Sequence, residues 1–170
     1  LADVDVLVFG PEFISRIDAI EEGLPKTLFF VGKGTPAYCE DCIALMSFCS
    51  SSAPPIALTE DDDAAIYFSS GTTGFPKAIL HNHKALVRAC LTEQNHHSQT
   101  REDVFLCIPP LYHTGAKMHW FGSLVAGSKA VLLRGVKPEW ILRAVTEEKC
   151  TIVWLLVPWG QDLLDAIDTG

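Results

Sequence analysis

Short apolar runs alternate with helix-spaced apolar positions along most of this chain. Val4, Val6, Leu7, Val8 and Phe9 form a strand-like run stopped by Gly10-Pro11. From 12 to 22, Phe13, Ile14, Ile17 and Ile20 recur at helical spacing, and Gly23 and Pro25 end the pattern. Residues 27–31 read as a second strand, and 38–48 as a short helix. After the Ser/Pro-rich stretch 50–55, a new apolar run spans 64–68, and 78–81 can pair back on it. Asn82 is a good N-cap for a helix carrying Leu86, Val87, Cys90 and Leu91. The rest reads as strand 104–108, a helix around Trp120 ending near Gly127, strand 130–133, a helix opening on Pro138, a buried strand 151–157 and a final short helix. This alternation predicts an α/β fold of mostly parallel sheets flanked by helices. Three parts are expected: a strand-helix-strand segment 1–49, a linker 50–63 and a second α/β segment 64–170.

Composition narrows the classes. With 170 residues, 48% of them apolar and 20% charged, the chain can build a real core and is not disordered. Its net charge of -8 argues against nucleic acid as a partner, though a few local donors can still hold a phosphate. The apolar stretch 152–157 is far short of the roughly 20 residues a membrane span needs. The start, Leu1-Ala2-Asp3-Val4-Asp5, has no basic signal-peptide region and no initiator Met, so the expectation is a cytoplasmic chain cut from something longer. Six irregularly spaced cysteines are expected to stay reduced. Cys39-x-x-Cys42 is half of a zinc site without its other half, so no metal site is expected. The acidic run 61–63 reads as a solvated turn.

The densest chemistry lies in the loop Ser69-Ser70-Gly71-Thr72-Thr73-Gly74-Phe75-Pro76-Lys77. Its glycines let backbone N–H groups approach an anion, its four hydroxyls add rotatable donors, and Lys77 adds charge. Pro76 fixes the exit. The spacing is not that of a Walker A loop, because only two residues separate Gly71 from Gly74 and Phe-Pro precedes the lysine.

This loop resembles the signature loop of the adenylate-forming superfamily, which includes acyl-CoA synthetases, peptide-synthetase adenylation domains and luciferases. The residues 62–67 leading into it, Asn82-His83 after it, and Pro110-Leu111-Tyr112-His113-Thr114-Gly115 are similar to further family motifs. Ala78 departs from the usual glycine after the lysine, and Gly115 comes one residue early. The family's later motifs and its C-terminal domain are not found before Gly170. The resemblance therefore implies part of the large N-terminal, AMP-binding domain of an acyl-CoA synthetase, with 64–170 as its phosphate-loop and acyl-pocket segment.

By the same resemblance the parent is an ATP-dependent acid-thiol ligase of the fatty-acid metabolism type. It activates a hydrophobic carboxylic acid to an acyl-adenylate and then to a coenzyme A thioester. ATP, Mg2+ and coenzyme A are the implied cofactors and the acid the small-molecule partner. The missing remainder of the polypeptide is implied too, and the isolated fragment is expected to be inactive. Ser69, Ser70, Gly71, Thr72, Thr73, Gly74 and Lys77 are implied to hold the phosphates, and His113 to act beside the carboxylate. Tyr112, Gly115 and Trp120 are candidates for the acyl pocket. His81, His83, His96, His97 and His119 lack such context and read as ordinary surface or core histidines. A non-catalytic nucleotide- or phosphate-binding module is the alternative. A serine hydrolase built on Ser70 and His113 is disfavoured, since Ser70 does not sit in a Gly-x-Ser-x-Gly elbow.

Overall fold

The computed structural model of the chain describes residues 2–20, 22–69 and 74–169. They divide into two compact units, one of residues 1–58 with 68–78 and one of 59–67 with 79–170. The alternation read from the sequence is realised as parallel sheets with helices against them.

In the first unit, β1 (Val6–Phe9) and β2 (Thr27–Phe30) run parallel, with Val6 opposite Thr27 and Phe9 opposite Phe30. Between them come a 3-10 turn at Pro11–Phe13 and the short helix α1 (Ile14–Asp18). Phe9 and Phe30 meet edge to face at 5.7 Å and bury Ile17 with them. Ile14, half-buried against the same cluster, is the helix's other contribution to the core. The helix ends at Asp18, four residues earlier than the periodicity predicts, and leaves Ile20 exposed. A strand that the sequence did not disclose, β3 (Glu40–Asp41), adds to the far edge of β2. It delays the next helix, α2 (Cys42–Met46), whose N-terminus is capped by Asp41 accepting the Ala44 amide at 2.9 Å.

β4 (Asp63–Ser69) and β5 (Lys77–Asn82) pair as a two-stranded sheet. In the second unit, α3 (His83–His96) starts on the expected cap, Asn82 accepting the Ala85 amide at 2.9 Å. The main sheet has the order β7-β6-β8, with β6 (Val104–Cys107) between β7 (Lys129–Leu132) and β8 (Ile152–Val153), all parallel. Phe105, Leu106 and Cys107 are apolar without alternation because helices cover both faces. Phe105 and Cys107 pack on Ala116 of α4 (Thr114–Ala126). Leu106 and Ile108 pack on Ile141 and Ala144 of α5 (Pro138–Glu148) and on Trp159 and Leu163 of α6 (Val157–Thr169).

One sequence expectation needs correction here. The strand predicted over 151–157 shrinks to two residues, and Val157, which is 90% exposed, instead opens α6. β8 needs only to pair with Phe105 and Leu106, after which Pro158 takes the favoured first-turn place of a helix. The helix expected around Trp120 and ending near Gly127 is α4, which runs from Thr114 to its cap at Gly127.

α3 and α4 pack closely where Gly122 lies near the Cys90 carbonyl. Beside that crossing a buried Gln99 amide donates to the Ser123 and Ser128 hydroxyls, both at 2.9 Å, so the Gln99 amide and the buried Ser123 hydroxyl are paired. Of the helix stripe predicted on α3, only Cys90 is fully buried; Leu91 stays exposed, and Leu86 and Val87 line an apolar groove of about 340 Å³.

Candidate functional site

Ser69 ends β4 and Lys77 begins β5, both exposed. The pair of strands thus holds the two ends of the glycine-rich loop. Gly74 adopts φ +83, a left-handed conformation that suits glycine. Phe75 is 79% exposed. Ser70, Gly71, Thr72 and Thr73, four of the predicted phosphate ligands, lie outside the described residues.

The second cluster grows from the C-terminal end of β6. In open parallel sheets this is the end where ligands are bound. Beyond Cys107 the chain turns at Pro110, whose carbonyl accepts the His113 amide at 2.9 Å. His113 then caps α4 through its backbone: its carbonyl accepts the Lys117 amide at 3.1 Å, while its side chain makes no capping bond. The imidazole is left exposed, with the Tyr112 ring 4.9 Å away. Behind it, a Cβ on Gly115 would stand 3.1 Å from the Trp154 indole, so any side chain here would have to push the indole back by a few tenths of an ångström. Tyr112, His113 and Gly115 are therefore brought together at one helix start. Trp120 lies further along the same helix. It stacks on Phe121 and packs half-buried against the Phe105 side of the core.

Further residues stand in this unit that the sequence did not single out. Lys117 places its ammonium 4.4 Å above the Tyr67 ring, which meets His81 edge to face at 5.2 Å. Among the described residues, the Tyr67 hydroxyl is a buried polar group without a hydrogen-bond partner. His119, grouped by sequence with the ordinary histidines, is buried, with Phe105 stacked on its ring. No periodicity distinguishes such a residue from its neighbours.

The thiols of Cys90, Cys107 and Cys150 are not poised for nucleophilic chemistry. All six cysteines are free, and burial pushes Cys90, Cys107 and Cys150 up from the ordinary thiol value. Tyr38 is pushed up to about 12 by its hydrogen bond to Asp18, at 2.7 Å. Of the acidic run 61–63, Asp61 and Asp62 form the expected turn and Asp63 begins β4. Asp62 accepts the Thr59 amide and hydroxyl at 2.6 and 3.0 Å, and these bonds hold its carboxyl below the usual range. No helix among the described residues is long and apolar enough to cross a membrane.

A family model described as AMP-binding enzyme matches residues 4–169. Among curated relatives, 4-coumarate–CoA ligase 5 of Oryza sativa subsp. japonica is 28% identical over 172 residues, covering 96% of this chain and 31% of the ligase. A long-chain-fatty-acid–CoA ligase of Thermus thermophilus is 28% identical over 133 residues, covering 77% of this chain and 24% of that enzyme. The chain thus spans less than a third of the length of these relatives. Among solved structures, the N-terminal domain of FACL13 from Mycobacterium tuberculosis matches with a TM-score of 0.80 at 21% identity, covering 94% of this chain and 39% of that one. ATP-bound MatB from Rhodopseudomonas palustris matches with a TM-score of 0.77 at 25% identity, covering 94% of this chain and 31% of that one.

Proposed function

The chain belongs to the AMP-binding enzyme family, and from that membership we propose that it is the phosphate-gripping part of an ATP-dependent acyl-CoA synthetase acting on a hydrophobic carboxylic acid. The observation that carries the reading is the family match across residues 4–169, which takes in both the glycine-rich loop and the Tyr112-His113 turn.

In the proposed reaction an oxygen of the substrate carboxylate attacks the α-phosphorus of ATP. The bond from that phosphorus to the bridging oxygen breaks, and pyrophosphate leaves. The thiolate of coenzyme A then attacks the acyl carbon, and AMP leaves with the electron pair. Negative charge gathers on phosphate oxygens in the first step, so positioned donors carry most of the catalysis. Ser69, Ser70, Gly71, Thr72, Thr73 and Gly74 supply hydroxyls and backbone N–H groups to the β- and γ-phosphates, and Lys77 supplies charge. His113 orients the carboxylate, and Tyr112, Gly115 and Trp120 border the acyl chain. The exposed imidazole and its backbone-capped helix start support this role, because the ring is held at a fixed origin without being spent on a structural bond.

Magnesium enters as part of the substrate, MgATP. The described acidic residues form no oxygen cage suited to it, and Asp62 is committed to Thr59. The parent works in the cytosol, and residues 50–63 link its two α/β segments. The 170-residue chain does not turn over by itself, a reading supported by how much longer its relatives are.

The test is pyrophosphate release from ATP and a panel of aliphatic and aromatic acids. The parent polypeptide is expected to release pyrophosphate with a subset of the acids, and the 170-residue chain with none. In the parent, Lys77→Ala weakens ATP binding. Unchanged ATP affinity in that variant, with the fold intact, sinks the loop assignment.

A further inference from the structure

We propose that Glu93, His97 and His119 form a binding site for a zinc-class transition-metal ion that cross-links the end of α3 to α4. This does not rest on the reading of the ATP site. Among the described residues, these side chains are the one group of three metal-ligand types whose donor atoms converge, and all belong to one compact unit.

The geometry suits such an ion. His97 Nε2 and His119 Nε2 are 3.0 Å apart, and Glu93 Oε2 lies 3.4 Å from His119 Nε2 and 3.9 Å from His97 Nε2. A tetrahedral zinc ion with bonds of about 2.0–2.1 Å separates its ligand atoms by about 3.4 Å. The three donor separations, 3.0 to 3.9 Å, bracket that spacing. Glu93 and His97 are four residues apart at the end of α3, which puts them on one face. His119 reaches them from the second turn of α4.

The chemistry of His119 adds a second, independent argument. Its Nδ1 lies 2.8 Å from the Gly115 carbonyl, a group that only accepts, so the ring proton belongs on Nδ1. In the neutral ring Nε2 then carries a lone pair, and that lone pair faces Glu93 and His97. A carbonyl on the far nitrogen is the arrangement by which proteins fix a metal-ligating histidine. The ring is 5% exposed and cannot swing away, since Phe105 stacks on it at 5.4 Å and Trp154 stands 6.3 Å off. Two imidazoles and one carboxylate select zinc, cobalt or nickel over magnesium and calcium, which take oxygen ligands. His97 is half exposed, which leaves the fourth position to water.

The experiment titrates the folded 170-residue chain with Co(II) and Zn(II), reading the visible cobalt d–d band, the stoichiometry and the thermal midpoint. The wild type and His96→Ala, which removes the adjacent exposed imidazole, are expected to bind one ion per chain and to melt higher with zinc. His97→Ala and Glu93→Gln change exposed or half-exposed side chains and keep the fold, and they are expected to lose at least about tenfold in affinity. Uptake by His97→Ala equal to that of the wild type overturns the proposal. So does a near-ultraviolet thiolate-to-cobalt band, which would put the ion on cysteine. Failure of the folded wild type to take up either ion at micromolar concentration overturns it as well.

Discussion

The Thr151 hydroxyl donates to the Asp103 carboxylate at 2.7 Å and accepts the Val104 amide at 3.0 Å, so one side chain fastens the start of β8 to the start of β6 across 48 residues of sequence. Asp103 also accepts the Thr100 amide and hydroxyl at 2.7 and 3.0 Å. Thr59 and Asp62 repeat this turn before β4.

These bonds hold the Asp103 carboxyl below its usual range, the Thr100 amide contributing most and the Thr151 and Thr100 hydroxyls following. A folded-state value below the unfolded one means the stabilisation is complete above the unfolded value. It is lost as pH falls through the folded one. Asp103→Ala is therefore expected to lower stability at neutral pH and to flatten the acid limb of a plot of urea midpoint against pH. Thr151→Val, which leaves the Val104 amide without its acceptor, is expected to cost about 1 kcal/mol at neutral pH.

α5 ends on Lys149, whose φ of +53 is left-handed, and the Cys150 amide closes the cap on the Val145 carbonyl at 3.2 Å. α4 ends in the same way, but on Gly127 at φ +71. Lys149→Gly relieves the Cβ strain and is expected to raise stability by up to about 1 kcal/mol, while Gly127→Ala is expected to lower it by a similar amount. Chemical denaturation of the two variants side by side measures both signs. The loss of the Lys149 charge is a minor effect at an exposed position.

Leu106 is fully buried between β7, α5 and α6. Leu106→Ala is expected to cost about 2–5 kcal/mol, because close-packed neighbours on the other strands and helices cannot collapse into the space. A fall in the thermal midpoint of several degrees checks it, and a shift within error would show that this side of the sheet is loosely packed.

His113 makes no side-chain capping bond and is exposed. His113→Ala is expected to leave the thermal midpoint of the parent polypeptide unchanged while pyrophosphate release falls. Loss of both together would assign the ring a structural role instead.

The parts of this molecule that obey a local rule were legible in its sequence. Asn82, Gly127 and Pro138 cap or open their helices where the side-chain chemistry requires. The unbroken apolar run of β6 announces a strand covered on both faces. β3 was not legible, because Glu40 and Asp41 carry no strand signature and join the sheet only through backbone pairing with Phe29 and Phe30. The run 152–157 misled for the converse reason: its residues favour a strand, but only two of them find a partner strand. In the candidate site, the loop and the Tyr112-His113 turn were readable because their residues are contiguous. Trp154 behind Gly115, and the meeting of His97 with His119, join residues 39 and 22 positions apart, and no local pattern encodes them.

The placement of β6 has a kinetic consequence. Its amides lie at the middle of a sheet sealed on both faces, so they exchange with solvent only when the whole unit opens, and they report its global free energy. A few residues further on, the turn at Pro110 to His113 is bounded by exposed rings and one amide-to-carbonyl bond, and its amides are released by small local fluctuations. Hydrogen-exchange protection is thus expected to fall sharply between Cys107 and His113, where the sealed strand hands over to an exposed turn.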